Sequence, residues 1–210
     1  MSEKKQMGML IDLSLCIGCN ACTVACKEEN DVPLTKFNTW VESFDVEASA
    51  DGICRANIPK LCNHCDDAPC VSVCPTGASY RTEDGYVLVD HDRCIGCKYC
   101  MAACPYSVRW ANDTTGEVSK CTFCYHRTTE GLLPACVSTC VTRARMFGDF
   151  ADPQSDVSKR LAEAGGGDVL LEDLNLGPNV RYIGLKKIES LPVASAVVRG
   201  GDVYKPYEGR

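Results

Sequence analysis

Sixteen of the seventeen cysteines in this chain fall into four tight groups, and a fold must be built around them. The first group is Cys16-x2-Cys19-x2-Cys22-x3-Cys26. The second is Cys62-x2-Cys65-x4-Cys70-x3-Cys74, with Pro75 after it. The third is Cys94-x2-Cys97-x2-Cys100-x3-Cys104, with Pro105 after it. The fourth is Cys121-x2-Cys124-x11-Cys136-x3-Cys140. Cys54 stands outside all four. The groups are related in pairs. Leu10-Ile11-Asp12 precedes Cys16-Ile17-Gly18-Cys19 in the register in which Leu88-Val89-Asp90 precedes Cys94-Ile95-Gly96-Cys97. Ala68-Pro69-Cys70-Val71-Ser72-Val73-Cys74 parallels Pro134-Ala135-Cys136-Val137-Ser138-Thr139-Cys140. The order A, B, A′, B′ suggests duplication of one unit, with too few copies for a solenoid.

Seventeen cysteines in 210 residues is a level otherwise typical of small disulfide scaffolds. The spacing argues against disulfides, which gain most when they close long loops, whereas neighbouring cysteines within the groups are, apart from Cys124 and Cys136, separated by only two to four residues. Met1–Leu10 is polar, with no apolar core or small-residue cleavage site, so no secretory leader is expected.

A cubane iron–sulfur core needs one thiolate on each of four irons. A C-x2-C-x2-C loop can wrap three corners of one cube, and Gly18 and Gly96 let the backbone bend close to it. In two-cluster ferredoxins the fourth cysteine of such a run ligates the other cluster. Applied here, that rule gives four complete sets. Cys62, Cys65, Cys70 and Cys104 hold one cluster, and Cys94, Cys97, Cys100 and Cys74 the next. Cys16, Cys19, Cys22 and Cys140 hold a third, and Cys26, Cys121, Cys124 and Cys136 a fourth. Four [4Fe–4S] clusters are expected, with one pair enclosing the other in sequence. Four-cysteine zinc sites use paired C-x2-C motifs but do not need the third and fourth cysteines of these runs. Lys27 and Val141 follow Cys26 and Cys140 where ferredoxins often have proline. Lys27 reads as an exposed lysine at a helix end, with a role in raising one cluster's potential as the alternative.

The formal net charge is −6, and four oxidised clusters would take it to roughly −14. That balance excludes nucleic acid as a partner, because phosphate binding needs a basic surface. No run approaches the apolar length that spans a bilayer, and Leu191–Val198 is far too short. Lys4-Lys5 and Lys186-Lys187 read as solvated charges. No nucleophile–base pairing, phosphate loop or nucleotide fingerprint supports catalysis by the chain alone.

The pattern predicts an α+β fold, a duplicated two-cluster ferredoxin with small antiparallel sheets and short helices. Strands are expected over Met7–Leu13, Phe37–Val46, Cys54–Ile58 and Val180–Gly184, with a turn at Asp51-Gly52. Hairpins are expected over Ser79–Val89 and from Ser107–Ala111 to Glu117–Ser119. Helices are expected over Ala21–Glu29, after Cys70, Cys100 and Cys136, and from Pro153 to about Ala164 with Asp152 as cap. Residues 1–50 with 115–150 form an outer ferredoxin-like module, and 51–114 an inner one. Residues 151–210 add a helix, a strand and an extended tail from Leu191, read as a partner-binding arm or a disordered end. Cys54 reads as a buried apolar residue. His64, between two ligands, reads as a loop residue, with a hydrogen bond to cluster sulfur as the functional alternative. His91 and His126 read as surface or structural, and Trp40 and Trp110 as core packing or cluster shields.

Several stretches resemble the iron–sulfur subunit of the molybdopterin oxidoreductases, the dimethyl sulfoxide, polysulfide, thiosulfate, tetrathionate and arsenate reductases. They are Cys62-Asn63-His64-Cys65-Asp66-Asp67-Ala68-Pro69-Cys70, Cys121-Thr122-Phe123-Cys124-Tyr125-His126-Arg127, Pro134-Ala135-Cys136, and Ala144-Arg145-Met146-Phe147-Gly148-Asp149 with Asp152-Pro153. The resemblance spans about residues 7–185. It implies an electron-transfer subunit between a molybdenum or tungsten pterin catalytic subunit and a quinone-binding membrane-anchor subunit, acting on a sulfur, selenium or arsenic compound. It places the cluster of Cys16, Cys19, Cys22 and Cys140 nearest the pterin and that of Cys74, Cys94, Cys97 and Cys100 nearest the membrane. It implies peripheral membrane association through a partner, on the extracytoplasmic face by co-export or else on the cytoplasmic face. A subunit of a hydrogenase or formate-handling complex, or a free polyferredoxin, is the alternative.

Overall fold

The computed structural model describes residues 5–47 and 53–189, and of residues 46, 47, 53, 54 and 189 the backbone alone. The Asp51-Gly52 turn, the tail from Leu191 and the side chain of Cys54 lie outside what is described. In chain order the elements begin with β1 (Met7–Asp12), α1 (Ala21–Glu29), β2 (Thr39–Glu47) and β3 (Ile53–Leu61). Next come α2 (Pro69–Ser72), β4 (Ser79–Arg81), β5 (Val87–Val89), a 3-10 turn at His91–Arg93, and α3 (Tyr99–Ala102). After these come β6 (Trp110–Ala111), β7 (Val118–Ser119), α4 (Tyr125–Thr128), α5 (Ala135–Ser138) and β8 (Arg145–Asp149). The series ends with α6 (Asp156–Glu163), a 3-10 turn at Glu172–Leu174, β9 (Val180–Ile183) and α7 (Leu185–Glu189).

The fold is a mixed α+β arrangement of small sheets and short helices, and three of the four sheets are two-stranded antiparallel pairs. The fourth has the order β8-β1-β9, with β8 antiparallel and β9 parallel to β1. The parallel pair is a departure from the all-antiparallel expectation. Its cause is the route of the chain: after β8 it passes through α6 and returns on the far side of β1. With neighbours on both edges, β1 is buried over most of its length, which explains an unbroken apolar run where a half-exposed strand would alternate.

The α6 helix begins later than Pro153. Ser155 is its cap, accepting from the Ser158 N–H, while Asp152 accepts from the Gln154 N–H and closes the preceding turn. A serine hydroxyl satisfying an orphan helix donor outweighs the preset φ of the proline. Arg160 of α6 then reaches Asp12 at the end of β1, 2.7 Å away.

The main core gathers Met9, Ile11, Ile58, Leu61, Tyr86, Phe123, Val180, Tyr182 and Leu185, and it takes in Cys22, Cys62, Cys121 and Cys136. A smaller core holds Cys65, Ala68, Cys70, Val87, Cys100 and Val118. With strands this short, much of the apolar interior consists of cysteines.

Candidate metal centres

Each cysteine loop turns by way of a left-handed residue. Gly18 and Gly96 take this role in the first and third groups at φ 70° and 67°, and His64 and Phe123 in the second and fourth at 45° and 55°. The closing cysteines follow one helical turn on, in α1, α2, α3 and α5 or just past their ends.

Three cavities are lined by four cysteines each. One has Cys74, Cys94, Cys97 and Cys100; the next has Cys62, Cys65, Cys70 and Cys104; another has Cys26, Cys121, Cys124 and Cys136. In each, one cysteine comes from a different group from the other three. The remaining cysteines also come together across the sequence, with Cys16 close enough to Cys22 and Cys140 to feel their charge. Cys19 lies in the same loop beside Gly18. These four quartets are the Cys16, Cys121, Cys62 and Cys94 sites, after the first cysteine of the C-x2-C run in each.

Neighbouring thiols order the sites. Cys26 of the Cys121 site is near Cys22 of the Cys16 site. Cys121 is near Cys62. Cys100 of the Cys94 site is near Cys70 of the Cys62 site. The row therefore runs from the Cys16 site through the Cys121 and Cys62 sites to the Cys94 site. Its middle is the more enclosed part: Cys26, Cys121, Cys124, Cys136, Cys62, Cys65 and Cys70 are buried, and Cys104 is half-buried. Its ends are more open, with Cys19 and Cys97 exposed, Cys16, Cys140, Cys74 and Cys94 half-buried, and only Cys22 and Cys100 buried.

Burial pushes the Cys26 and Cys65 thiols up to about 12, with neighbouring cysteines adding to the shift. Burial and neighbouring cysteines also raise the Cys121 thiol well above its ordinary value. Free thiols there are neutral, so holding them as thiolates requires cationic metal. Donors also point at sulfur. The Ser79 N–H lies 3.3 Å from Cys74 Sγ, the Phe123 N–H 3.4 Å from Cys121 Sγ, and Asn30 Nδ2 3.7 Å from both Cys26 Sγ and Cys124 Sγ.

The residues fit iron–sulfur cores. Asn63, His64 and Arg109 line the Cys62 cavity, and both Asn63 amide atoms, His64 Nε2 and Arg109 Nη1 are buried without a partner among the described residues. The three N–H groups among them, Asn63 Nδ2, His64 Nε2 and Arg109 Nη1, suit a sulfur-rich anionic core. Among the described residues no three His, Cys, Asp or Glu converge as ligands of a single metal ion, so the thiols ring a space and do not meet at a point.

His64 is more than a loop residue. It is fully buried, its Nδ1 accepts from the Val87 N–H, and its ring stacks on Phe123 at 3.7 Å between centroids. His64 lies between Cys62 and Cys65, and Phe123 between Cys121 and Cys124, so the stack joins the two middle sites. Lys27 also differs from its reading as an exposed lysine. Its ammonium donates to the carbonyls of Pro33, Leu34 and Lys36 and lies over the Phe37 ring, clasping the turn after α1. His126 pairs with Glu29, and Trp110 donates to Asn38. Sequence reasoning passed over Arg109, Lys120 and Arg145, three buried cations beside the cysteines. A signal for two of them is present, since Arg109 and Arg145 each stand five residues after a closing cysteine, Cys104 and Cys140.

Residues 55–150 match the 4Fe-4S dicluster domain family. The chain is 46% identical to a tetrathionate reductase subunit of Salmonella typhimurium over 88% of this chain and 74% of that one. It is 42% identical to a putative dimethyl sulfoxide reductase iron–sulfur subunit of Halobacterium salinarum over 84% and 78%. It is 52% identical to the thiosulfate reductase electron transfer subunit of Salmonella typhi over 68% and 76%.

Proposed function

The chain belongs to the iron–sulfur subunits of multi-subunit respiratory reductases, carrying [4Fe–4S] clusters for electron transfer and not catalysing alone, and we propose that it conducts between two different partners bound at opposite ends of its row of sites. We assign the four quartets as the cluster ligands. Cys16, Cys19, Cys22 and Cys140 hold one terminal cluster, and Cys74, Cys94, Cys97 and Cys100 the other. Cys26, Cys121, Cys124 and Cys136, with Cys62, Cys65, Cys70 and Cys104, hold the two between. When bound, each cluster supplies a one-electron carrier.

The observation that carries this reading is the contrast along the row: seven of the eight inner cysteines are buried, against two of the eight at the ends. Buried residues around the inner quartets exclude water and other reductants, while Cys19 and Cys97 bring the two termini to the surface. Exposed apolar side chains surround each end: Leu15, Ile17 and Val141 by the Cys16 site, and Val73, Ile95 and Tyr99 by the Cys94 site. Such side chains suit contact with another protein.

At the Cys16 end the proposed partner is a molybdopterin catalytic subunit, and at the Cys94 end a membrane-anchor subunit that handles quinone. The names of the relatives favour a sulfur or arsenic compound as the complex's substrate. No helix among the described residues is long and apolar enough to cross a membrane. The proposed attachment is through the membrane-anchor partner, on the extracytoplasmic face. The paired motifs support a duplicated ferredoxin, with an inner module on the second and third groups and an outer one on the first and fourth. The residues after 150 extend the outer module, since β9 joins β1.

Iron and acid-labile sulfide analysis of the chain from its natural host should give about sixteen irons, and fewer than about twelve would sink the four-cluster assignment. The chain should copurify with a large pterin-containing subunit. Recovery as a monomer free of any such partner would overturn the two-partner reading.

A further inference from the structure

The three buried cations occupy the three steps of the row. Arg145 is fully enclosed beside Cys136, Cys22 and Cys121, between the Cys16 and Cys121 sites. Its guanidinium donates to Thr39 Oγ1 at 2.9 Å and touches Met9 Sδ at 3.8 Å. Lys120 is 2% exposed, and its ammonium donates to the carbonyl of Cys121 at 2.7 Å and to that of Val87. Those contacts put it where the Cys121 and Cys62 sites meet, beside the His64–Phe123 stack. Arg109 donates from Nη2 to Cys70 Sγ at 2.8 Å and to Ser79 Oγ at 2.9 Å, between the Cys62 and Cys94 sites.

Among the described residues none of the three forms an ion pair with a carboxylate, although eleven such pairs are found elsewhere. An arginine cannot shed its proton, and a buried unpaired charge is strongly unfavourable. The balancing charge must come from the cysteines and what they hold. We propose that Arg145, Lys120 and Arg109 are internal counter-charges, one for each step between neighbouring sites, that raise the reduction potentials of the two clusters each stands between. The proposal rests on the ligand assignment above.

The physical argument is direct. A cluster with four thiolates is anionic and becomes more so on reduction. A fixed cation nearby in a low-dielectric interior favours the reduced form more than the oxidised one. The electron on one cluster also repels the next electron on its neighbour, and a cation between two sites offsets that repulsion. Lys120 extends the effect across the boundary between the pairs, so no step lacks a counter-charge. The recurrence of arginine five residues after Cys104 and Cys140 shows the same placement in both pairs. These are positioning residues for charge; none is a ligand.

The test is an EPR-monitored redox titration of the intact complex, with iron and sulfide measured first. A wild-type complex far short of sixteen irons rejects the ligand assignment, whatever its potentials. Arg109→Gln keeps hydrogen-bonding groups and removes the charge. It should lower the midpoints of the Cys62 and Cys94 clusters and leave that of the Cys16 cluster in place. Arg145→Gln should lower those of the Cys16 and Cys121 clusters, and Lys120→Met those of the two middle clusters. Arg109→Lys should return the potentials towards wild type. Fully loaded variants with unchanged potentials, or with all four lowered equally, would overturn the proposal. If Arg109→Gln fails to load its clusters, Arg109→Lys decides: a loaded complex with near-wild-type potentials supports the counter-charge. Failure of both to load, or a loaded lysine variant with lowered potentials, shows a purely geometric role.

Discussion

At the scale of the residue, the clearest instruction concerns which cysteine serves which site. Cys104 is four positions from Cys100 but lines the cavity of Cys62, Cys65 and Cys70. Replacing Cys104 by serine should therefore disturb the same EPR signal as Cys65→Ser, and a different one from Cys97→Ser, with up to about four irons lost. If Cys104→Ser matched Cys97→Ser instead, the crossed assignment would fail. Gly96 makes a second case. It holds φ 67°, and an added Cβ would lie 2.7 Å from the carbonyl oxygen of Gly116, part of the backbone and unable to swing aside. Gly96→Ala should cost about 1–2 kcal/mol for the left-handed conformation alone, with the overlap adding to it. Thermal unfolding of the variant, followed by loss of cluster absorbance, measures it. The grouping of the cysteines was legible because cluster chemistry fixes spacing locally. The burial of His64 was not, because its stacking partner Phe123 is far along the chain.

At the scale of the element, β1 is the strand the rest depends on. Gly8 lies in it with the Phe150 ring and the Asn179 carbonyl so close that an added Cβ would meet them at 2.2 and 2.7 Å. Gly8→Val should destabilise by about 1–3 kcal/mol through overpacking, seen as earlier unfolding of the three-stranded sheet. The far end of β1 is tied to α6 through Asp12. Burial works against the charge of Asp12, but hydrogen bonds from Ser14 and Arg160 outweigh it and hold the carboxyl below its usual range. A depressed carboxyl contributes stability above its unfolded value of about 3.9, lost as pH falls through the lower folded value. Amide exchange in α6 should thus be about tenfold faster in Asp12→Asn than in wild type near pH 6. That difference should shrink as pH drops below about 4. A difference independent of pH would assign the tie to packing. Most elements were readable from alternation and turn residues, Ala21–Glu29 to the residue. The parallel pairing of β1 with β9 was not, since it depends on where the chain goes after α6 and no local pattern records that.

At the scale of the whole molecule, the sixteen grouped cysteines indicate what is bound but are silent on the order of the sites in space. That order comes from contacts between groups far apart in sequence, such as Cys121 with Cys62. The same contacts bury the middle quartets except for the half-buried Cys104, and leave Cys19 and Cys97 at the surface. A conductor open at both ends and closed between them should have two separable interfaces. Ile17 is 63% exposed beside Cys19, and Ile95 is 68% exposed beside Cys97. Neither lends much to the chain's own core, so a charged replacement should leave folding and iron content intact. At a protein interface, however, losing an apolar anchor and burying a charge should weaken binding by tenfold or more, roughly 1.4 kcal/mol or above. Ile17→Asp should release the partner at the Cys16 end and retain the other, and Ile95→Asp should do the reverse, as read by copurification of tagged chain with each subunit. If both variants shed the same partner, or both keep both, the two patches are not separate docking faces and the row does not run from one partner to the other.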